Sequence, residues 1–203
     1  ADSPARKQSR NPLKVGETFT TNEGSSCVVV RYDSAKKVTV KFLDSHGAEI
    51  VTSTSSLRDG RVKNPFHPSV YGVGYIGQGD HKSFGSREYV KWVDMLRRCY
   101  CSEFQEKNPA YVGCTVNTEW HNFQVFAKWI ISQKNWGKSG FELDKDVLSH
   151  GISQYGPSTC ALIPAKLNRA MAHYLKSSDT SGGVYETKTK GRFAAQCVNP
   201  HGK

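Results

Sequence analysis

Between Val15 and Leu57 apolar and polar residues alternate in four short runs, ETFTTN, SCVVVRY, KVTVKFL and AEIVTST, separated by EG, DSAKK and DSHG turns. A period of two over runs this short predicts four or five half-buried strands. Residues 13–58 are therefore expected to form a small β-barrel. The preceding residues, 1–12, are polar, basic and contain proline, which predicts a disordered arm able to touch phosphate loosely. Residues 59–84 are rich in glycine, proline and aromatic residues and carry no helical period, so they read as an extended linker packed across the next module. Its tyrosines and His67 either stack on bases or anchor the linker to a neighbouring surface.

From Ser86 the period becomes helical. SREYVKWVDMLRRCY puts Tyr89, Trp92, Val93 and Leu96 on one face, with Arg97 and Arg98 at its end. A second helix is expected from near Thr118, a suitable N-cap, with Trp120, Phe123, Phe126, Ala127 and Ile130 in register. Aromatic residues at this spacing form a core far more often than a base-stacking platform. The stretch FELDKDVLSHGISQYGPSTCALIPAKLN then predicts a strand at Phe141–Val147, a second at Thr159–Ile163, and a helix opening at Pro164, whose missing N–H costs nothing there.

Charge adds a partner class to this picture. The chain carries 28 Lys and Arg against 18 Asp and Glu, a net charge of +10 with pI near 9.3, which suits a polyanion. From Pro164 to Lys203 there are seven basic residues against two acidic ones, so half of the excess lies in the last 40 residues. No run of 18 or more apolar residues marks a membrane span, and ADSPARKQSR lacks an apolar signal core. The expectation is a soluble, cytoplasmic protein. Its 203 residues at 37% hydrophobic content suit several small modules better than one large core.

The order of residues from 86 to 168 resembles that of phage-encoded and intron-encoded HNH endonucleases. The likeness rests on Trp92, Met95, Arg98 and Cys99, then Pro109 and Tyr111, then Val116, Glu119, Trp120, Phe123, Phe126 and Trp129. It continues with Leu143, Asp144 and Asp146, then Tyr155, Pro157 and Cys160, and ends with Pro164 and Asn168. With the N-terminal strands read as a small β-barrel of the Tudor or Src-homology-3 kind, the resemblance implies an α+β protein whose HNH-like ββα-metal domain, with supporting helices, occupies residues 85–178. It further implies a homing-type or phage nuclease acting on double-stranded DNA in a bacterial host cell, with a divalent ion, Mg2+ or Mn2+, held by Asp144 and Asn168.

Within that motif Lys145 takes the position of the usual catalytic histidine and Thr159 that of the middle asparagine. A lysine near its reference pKa of about 10.4 is a poor base at neutral pH. Lys145 has three roles open to it: a base with depressed pKa, a cation stabilising the pentavalent phosphate, or a phosphate anchor in a site without hydrolysis. Asp146 and His150 stand nearby as alternative proton acceptors. Alternation along an unbroken strand would put Asp146 on the face of Asp144, as a second carboxylate ligand or water-orienting group, with Lys145 opposite. A non-catalytic DNA-binding protein on a degenerate HNH scaffold is the alternative to an enzyme.

Residues 179–203 are basic and similar to the opening strands of the APETALA2-type DNA-binding domain, on Gly183, Val184, Tyr185, Lys190, Arg192, Phe193, Ala195, Gly202 and Lys203. This adds Lys188, Lys190 and Arg192 to Arg97, Arg98, Lys166 and Arg169 as expected DNA contacts. The six cysteines, Cys27, Cys99, Cys101, Cys114, Cys160 and Cys197, lack CxxC pairing. A structural Zn2+ at Cys99, Cys101, Cys114 and Cys160 is set against ordinary buried thiols.

Overall fold

In the computed structural model, which describes residues 12–149, 153–176, 184–186 and 193–195, the chain is α+β. It divides into two compact units, Ala1–Asp80 and His81–Lys203. The alternating N-terminal runs form one antiparallel sheet of β1 (Thr18–Thr20), β2 (Ser26–Ser34), β3 (Lys37–Phe42) and β4 (Glu49–Thr52), in that spatial order. Cys27, Val29, Val38, Val40 and Phe42 are buried together with Leu13, Ala48, Leu57 and Val62. Burying each Val- or Phe-sized side chain is worth roughly 1.5–3 kcal/mol, so this face sets the register.

Partway along β2 the phase changes. Val29 faces Val40 and Arg31 faces Thr39, which leaves Val30 as an extra residue between them. This bulge shifts the inward set from odd to even positions, so Tyr32, opposite Val38, packs on the core while Arg31 is exposed. The sheet stays open: β1 and β4 are its edges, and the closed barrel expected from the alternation does not form among the described residues. After β4 the chain turns at once into α1 (Thr54–Arg58), whose first turn is capped by Ser53 Oγ accepting from the Ser56 amide at 3.2 Å. That cap diverts the backbone before it can add a closing strand.

Of the stretch expected to be a linker packed on the following module, Val62 is part of the core of the sheet before it and Phe66 packs against that core, while His81 near its end exchanges two backbone hydrogen bonds with the Gln124 side chain. Gly60, at φ +66°, is required where it stands, because a Cβ there would lie 2.4 Å from Asn22 Oδ1. Asn64 is buried and donates from Nδ2 to Asp44 Oδ2 at 2.6 Å, while its own amide donates to Glu23 Oε1 at 2.6 Å and its Oδ1 accepts from the Phe66 amide at 3.0 Å. His46 stacks on Phe66 with ring centroids 4.1 Å apart.

The second unit is built on α2 (Arg87–Tyr100), capped by Ser86, which is followed by α3 (Ser102–Lys107) and a 3₁₀ turn at Pro109–Tyr111. Then come β5 (Thr115–Val116), a 3₁₀ turn at Thr118–His121 and α4 (Phe123–Ser132). The single helix expected from Thr118 is thus two elements. Asn117 Oδ1 caps the first by accepting from the Glu119 amide, and Asn122 Oδ1 caps the second by accepting from the Gln124 amide. At the junction the Trp120 carbonyl accepts from Trp92 Nε1 at 2.7 Å, in full burial. Trp92, Trp120, Phe123, Phe126 and Ile130 have no exposed surface, so the aromatic stripe is core.

On this base sit β6 (Phe141–Asp144), α5 (Asp146–Ser149), β7 (Gln154–Tyr155), β8 (Ala161–Pro164) and α6 (Ala165–Lys176). β6 pairs antiparallel with β8, Asp144 facing Ala161, and β5 pairs parallel with β7. Two further strands, β9 (Val184–Glu186) and β10 (Phe193–Ala195), form an antiparallel pair. Among the described residues no helix is long and apolar enough to cross a membrane.

The Asn64 amide, with the Gly47 and His46 backbone N–H groups, holds the Asp44 carboxyl below its ordinary value of 3.8. A depressed folded pKa gives stability that is complete above the unfolded value and is lost as pH falls through the folded one. Asn64→Ala is expected to lower stability by about 1–2 kcal/mol at neutral pH and to move Asp44 back up. Urea unfolding at pH 7 and an NMR pH titration of the Asp44 carboxyl check the two effects; an unmoved carboxyl would refute the assignment.

Candidate functional site

The site starts from one carboxylate. Asp144 Oδ1 accepts from the backbone amides of both Asp146 and Val147, each at 2.9 Å. A side chain that binds N–H groups two and three residues ahead turns the backbone out of the strand and into a helix. β6 therefore ends at Asp144, three residues before the expected end, and Asp146 opens α5. The alternation that would have put Lys145 on the opposite face no longer applies.

Lys145 lies in that turn and is buried, 6% exposed. Its Nζ is 2.5 Å from Asp146 Oδ1 and 5.9 Å from the centroid of the Tyr155 ring. Burial works to lower its pKa, but the hydrogen bond and charge of Asp146, with Asp144 adding, hold the ammonium above its ordinary value of 10.5. Lys145 is therefore a cation at neutral pH, and of its three open roles the unprotonated base is the one this environment opposes.

Asn168, in the first turns of α6, donates from Nδ2 to Glu142 Oε2 at 3.0 Å. This bond uses the amide nitrogen, which turns the oxygen into the ligand-capable atom. Asp144, Lys145, Asp146 and Asn168 all line one open cleft of about 600 Å³. Its other wall comes from α3 and the 3₁₀ turn, through Lys107, Asn108 and Tyr111, and its floor includes Tyr155 and Arg98. Arg98 Nη2 donates to Asp94 Oδ2 at 2.8 Å, and the guanidinium sits 5.7 Å from the Tyr111 ring centroid. Arg169 completes the lining, so four cations face two carboxylates.

The structure thus brings together Asp144, Lys145, Asp146, Asn168, Arg98 and Arg169. Arg97 and Lys166 are exposed and do not line the cleft; Arg97 is paired with Asp94 at 2.5 Å and lies over the Phe104 ring. Thr159 does not face it either: its hydroxyl donates to the Gln154 carbonyl at 2.7 Å and closes the loop between β7 and β8. His150, Lys188, Lys190 and Arg192 lie outside the described residues. Lys107, Asn108 and Glu142 were not anticipated, because nothing in their local sequence marks them; Tyr111 and Tyr155 were present only as positions in the HNH-like layout.

Cys27, Cys99, Cys101, Cys114 and Cys160 are free. Among the described residues no group of three or more His, Cys, Asp or Glu is disposed to hold a metal ion. A two-ligand site completed by phosphate and water, as Mg2+ commonly uses, involves fewer protein groups than that. No known protein family, curated protein or solved structure matches this chain.

Burial pushes the Cys99 thiol up to about 12 and the Cys160 thiol up to about 11. The nucleophile is the thiolate, so these two cysteines are expected to resist alkylation in the folded protein at pH 8 and to react once it is unfolded. Mass spectrometry of iodoacetamide-treated protein, with and without denaturant, reads this directly. Equal labelling of Cys99 in both states would contradict the buried placement.

Proposed function

We propose that this chain is a metal-dependent DNA endonuclease of HNH type that hydrolyses phosphodiester bonds in double-stranded DNA. The observation that carries the reading is that the β6–β8 hairpin and α6 bring the carboxylate of Asp144 and the amide of Asn168 into one cleft whose walls are mainly cationic. Carboxylate and amide oxygens are hard donors suited to Mg2+ or Mn2+, and Glu142 orients Asn168 as outer-shell partners do. The donor set therefore fits: Asp144 and Asn168 would hold the ion, which when bound neutralises phosphate charge and lowers the pKa of a water.

The chain's own groups divide the remaining work. Lys145, kept protonated, offers its ammonium to the charge that builds on the phosphate. Lys107 and Arg169, which both line the cleft, hold the DNA backbone there. Asp146, at the same cleft, presents a carboxylate that can take the proton of an attacking water, the role also open to His150. The protonated lysine in the histidine position favours a second reading, a DNA-binding protein on the same scaffold in which Lys145 only anchors phosphate. Phage or mobile-element origin, action inside a bacterial host cell and APETALA2-like contact through residues 179–203 belong to the same proposal.

Supercoiled plasmid incubated with the protein and Mg2+ or Mn2+ separates the readings. Asp144→Asn is the informative control, since an amide oxygen keeps the helix cap but removes the charge. Wild type is expected to nick and linearise the plasmid, and the variant to lose at least about 100-fold in rate. Cleavage by both proteins counts against the nuclease, as does cleavage by neither, where a salt-dependent gel shift instead supports the binder. Independently, Lys107→Ala and Arg169→Ala are each expected to weaken duplex binding and to reduce the salt dependence by about one counterion, measured by anisotropy across a salt series.

A further inference from the structure

Lys145 and Asp146 are adjacent in sequence yet unequal in exposure: the lysine side chain is 8% exposed and the aspartate side chain 47%. The pairing follows from the cap described above. Because Asp144 commits Oδ1 to two backbone amides, the chain turns after it, Lys145 points inward, and the next carboxylate falls 2.5 Å from its ammonium. A buried ammonium stripped of its counter-ion is strongly disfavoured, so an anion is always needed at this point. The one that supplies it is the exposed member of the pair, in the lining of a cleft that also carries Arg98, Lys107 and Arg169.

The geometry points to Asp146 as a place-holding positioning residue, which keeps the Lys145 ammonium in the free protein and yields it to a backbone phosphate of DNA entering the cleft. This rests on the proposed DNA-cleaving role of the cleft and adds to it a rule for what the cleft admits. An isolated phosphate gains one contact and must break one, so the exchange gives it little. A polynucleotide, which touches Lys107 and Arg169 at the same time, gains enough to displace the aspartate. Lys145 stays charged throughout, and no proton or covalent bond changes hands in the exchange.

The test is a double-mutant cycle on binding alone. Anisotropy of a fluorescent duplex is measured in EDTA for wild type, Lys145→Met, Asp146→Asn and the double variant, with thermal melts to establish folding. Asp146→Asn is expected to tighten binding about tenfold when Lys145 is present and by no more than about twofold in the Lys145→Met background. Asp146→Glu, which preserves the pair, is expected to bind as wild type does. Equal tightening in both backgrounds would mean that Asp146 acts only through net charge, and would overturn the exchange.

A second measurement on the wild-type protein needs no variant to fold. The 13C resonance of the Asp146 carboxyl is expected to shift on saturation with duplex and to stay within a small fraction of that change with inorganic phosphate. Duplex binding with an unmoved Asp146 resonance sinks the exchange and leaves the DNA reading standing. Absence of duplex binding sinks both.

Discussion

The side chain of Asp144 decides the shape of the candidate site through two hydrogen bonds to the backbone ahead of it. Those bonds end β6, begin α5 and turn Lys145 from a strand position into an inward-facing turn position. They engage one oxygen of the carboxylate, Oδ1, with two backbone amides. A capping aspartate and a metal ligand are usually opposed explanations of the same residue. Here the two are compatible: the cap fixes the carboxylate, and under the proposed function that same rigidity would serve the metal.

That carboxylate can be held in place only if the hairpin beneath it does not move. Leu143 and Ile163 of the two strands are buried in the same unit as Trp92, Met95 and Leu96 of α2 and Trp120, Phe123 and Phe126 of the following elements. The Trp92 to Trp120 hydrogen bond satisfies a carbonyl that the break between the 3₁₀ turn and α4 would otherwise leave buried and unpaired. The same α2 ends in Arg97 and Arg98, so the core helix also delivers Arg98 to the cleft floor. Packing and chemistry here share one element.

Much of this was legible in the sequence where one face of an element is buried. Alternation located all four strands of the first sheet, and the 3.6-residue period located α2 with Trp92 and Leu96 on its buried face, to which the structure adds Met95 and Cys99 in place of Tyr89 and Val93. What escaped depends on partners distant in sequence or on a single local bond. The Val30 bulge is defined by what β3 places opposite it, and the open sheet by a cap at Ser53 that turns the chain away. Val62 and Asn64 sit in irregular backbone, where no period marks a core residue. Asn117 and Asn122 are good caps on sight, yet the apolar register running through both elements masks the break between them. Asp144 and Asn168, singled out by the HNH-like spacing, do line one cleft, whereas Lys107 and Asn108 reach it only through the fold of α3 and the residue after it.

Charge assigns the work between the two units. Residues 1–80 carry 11 Lys and Arg against eight Asp and Glu, while residues 81–203 carry 17 against ten, so seven of the ten excess charges fall in the sequence of the second unit. Within the cleft the balance is sharper still, since Asp144 is held by backbone amides and Asp146 is paired with Lys145. Neither carboxylate therefore stands as an unscreened repulsive charge toward an incoming phosphate. The nuclease proposed above would have to hold acidic groups for a metal and still attract a polyanion, two demands that conflict electrostatically. Under that proposal the internal pairing of Lys145 with Asp146 would reconcile them, because it masks one negative charge and keeps one positive charge in the lining of the cleft.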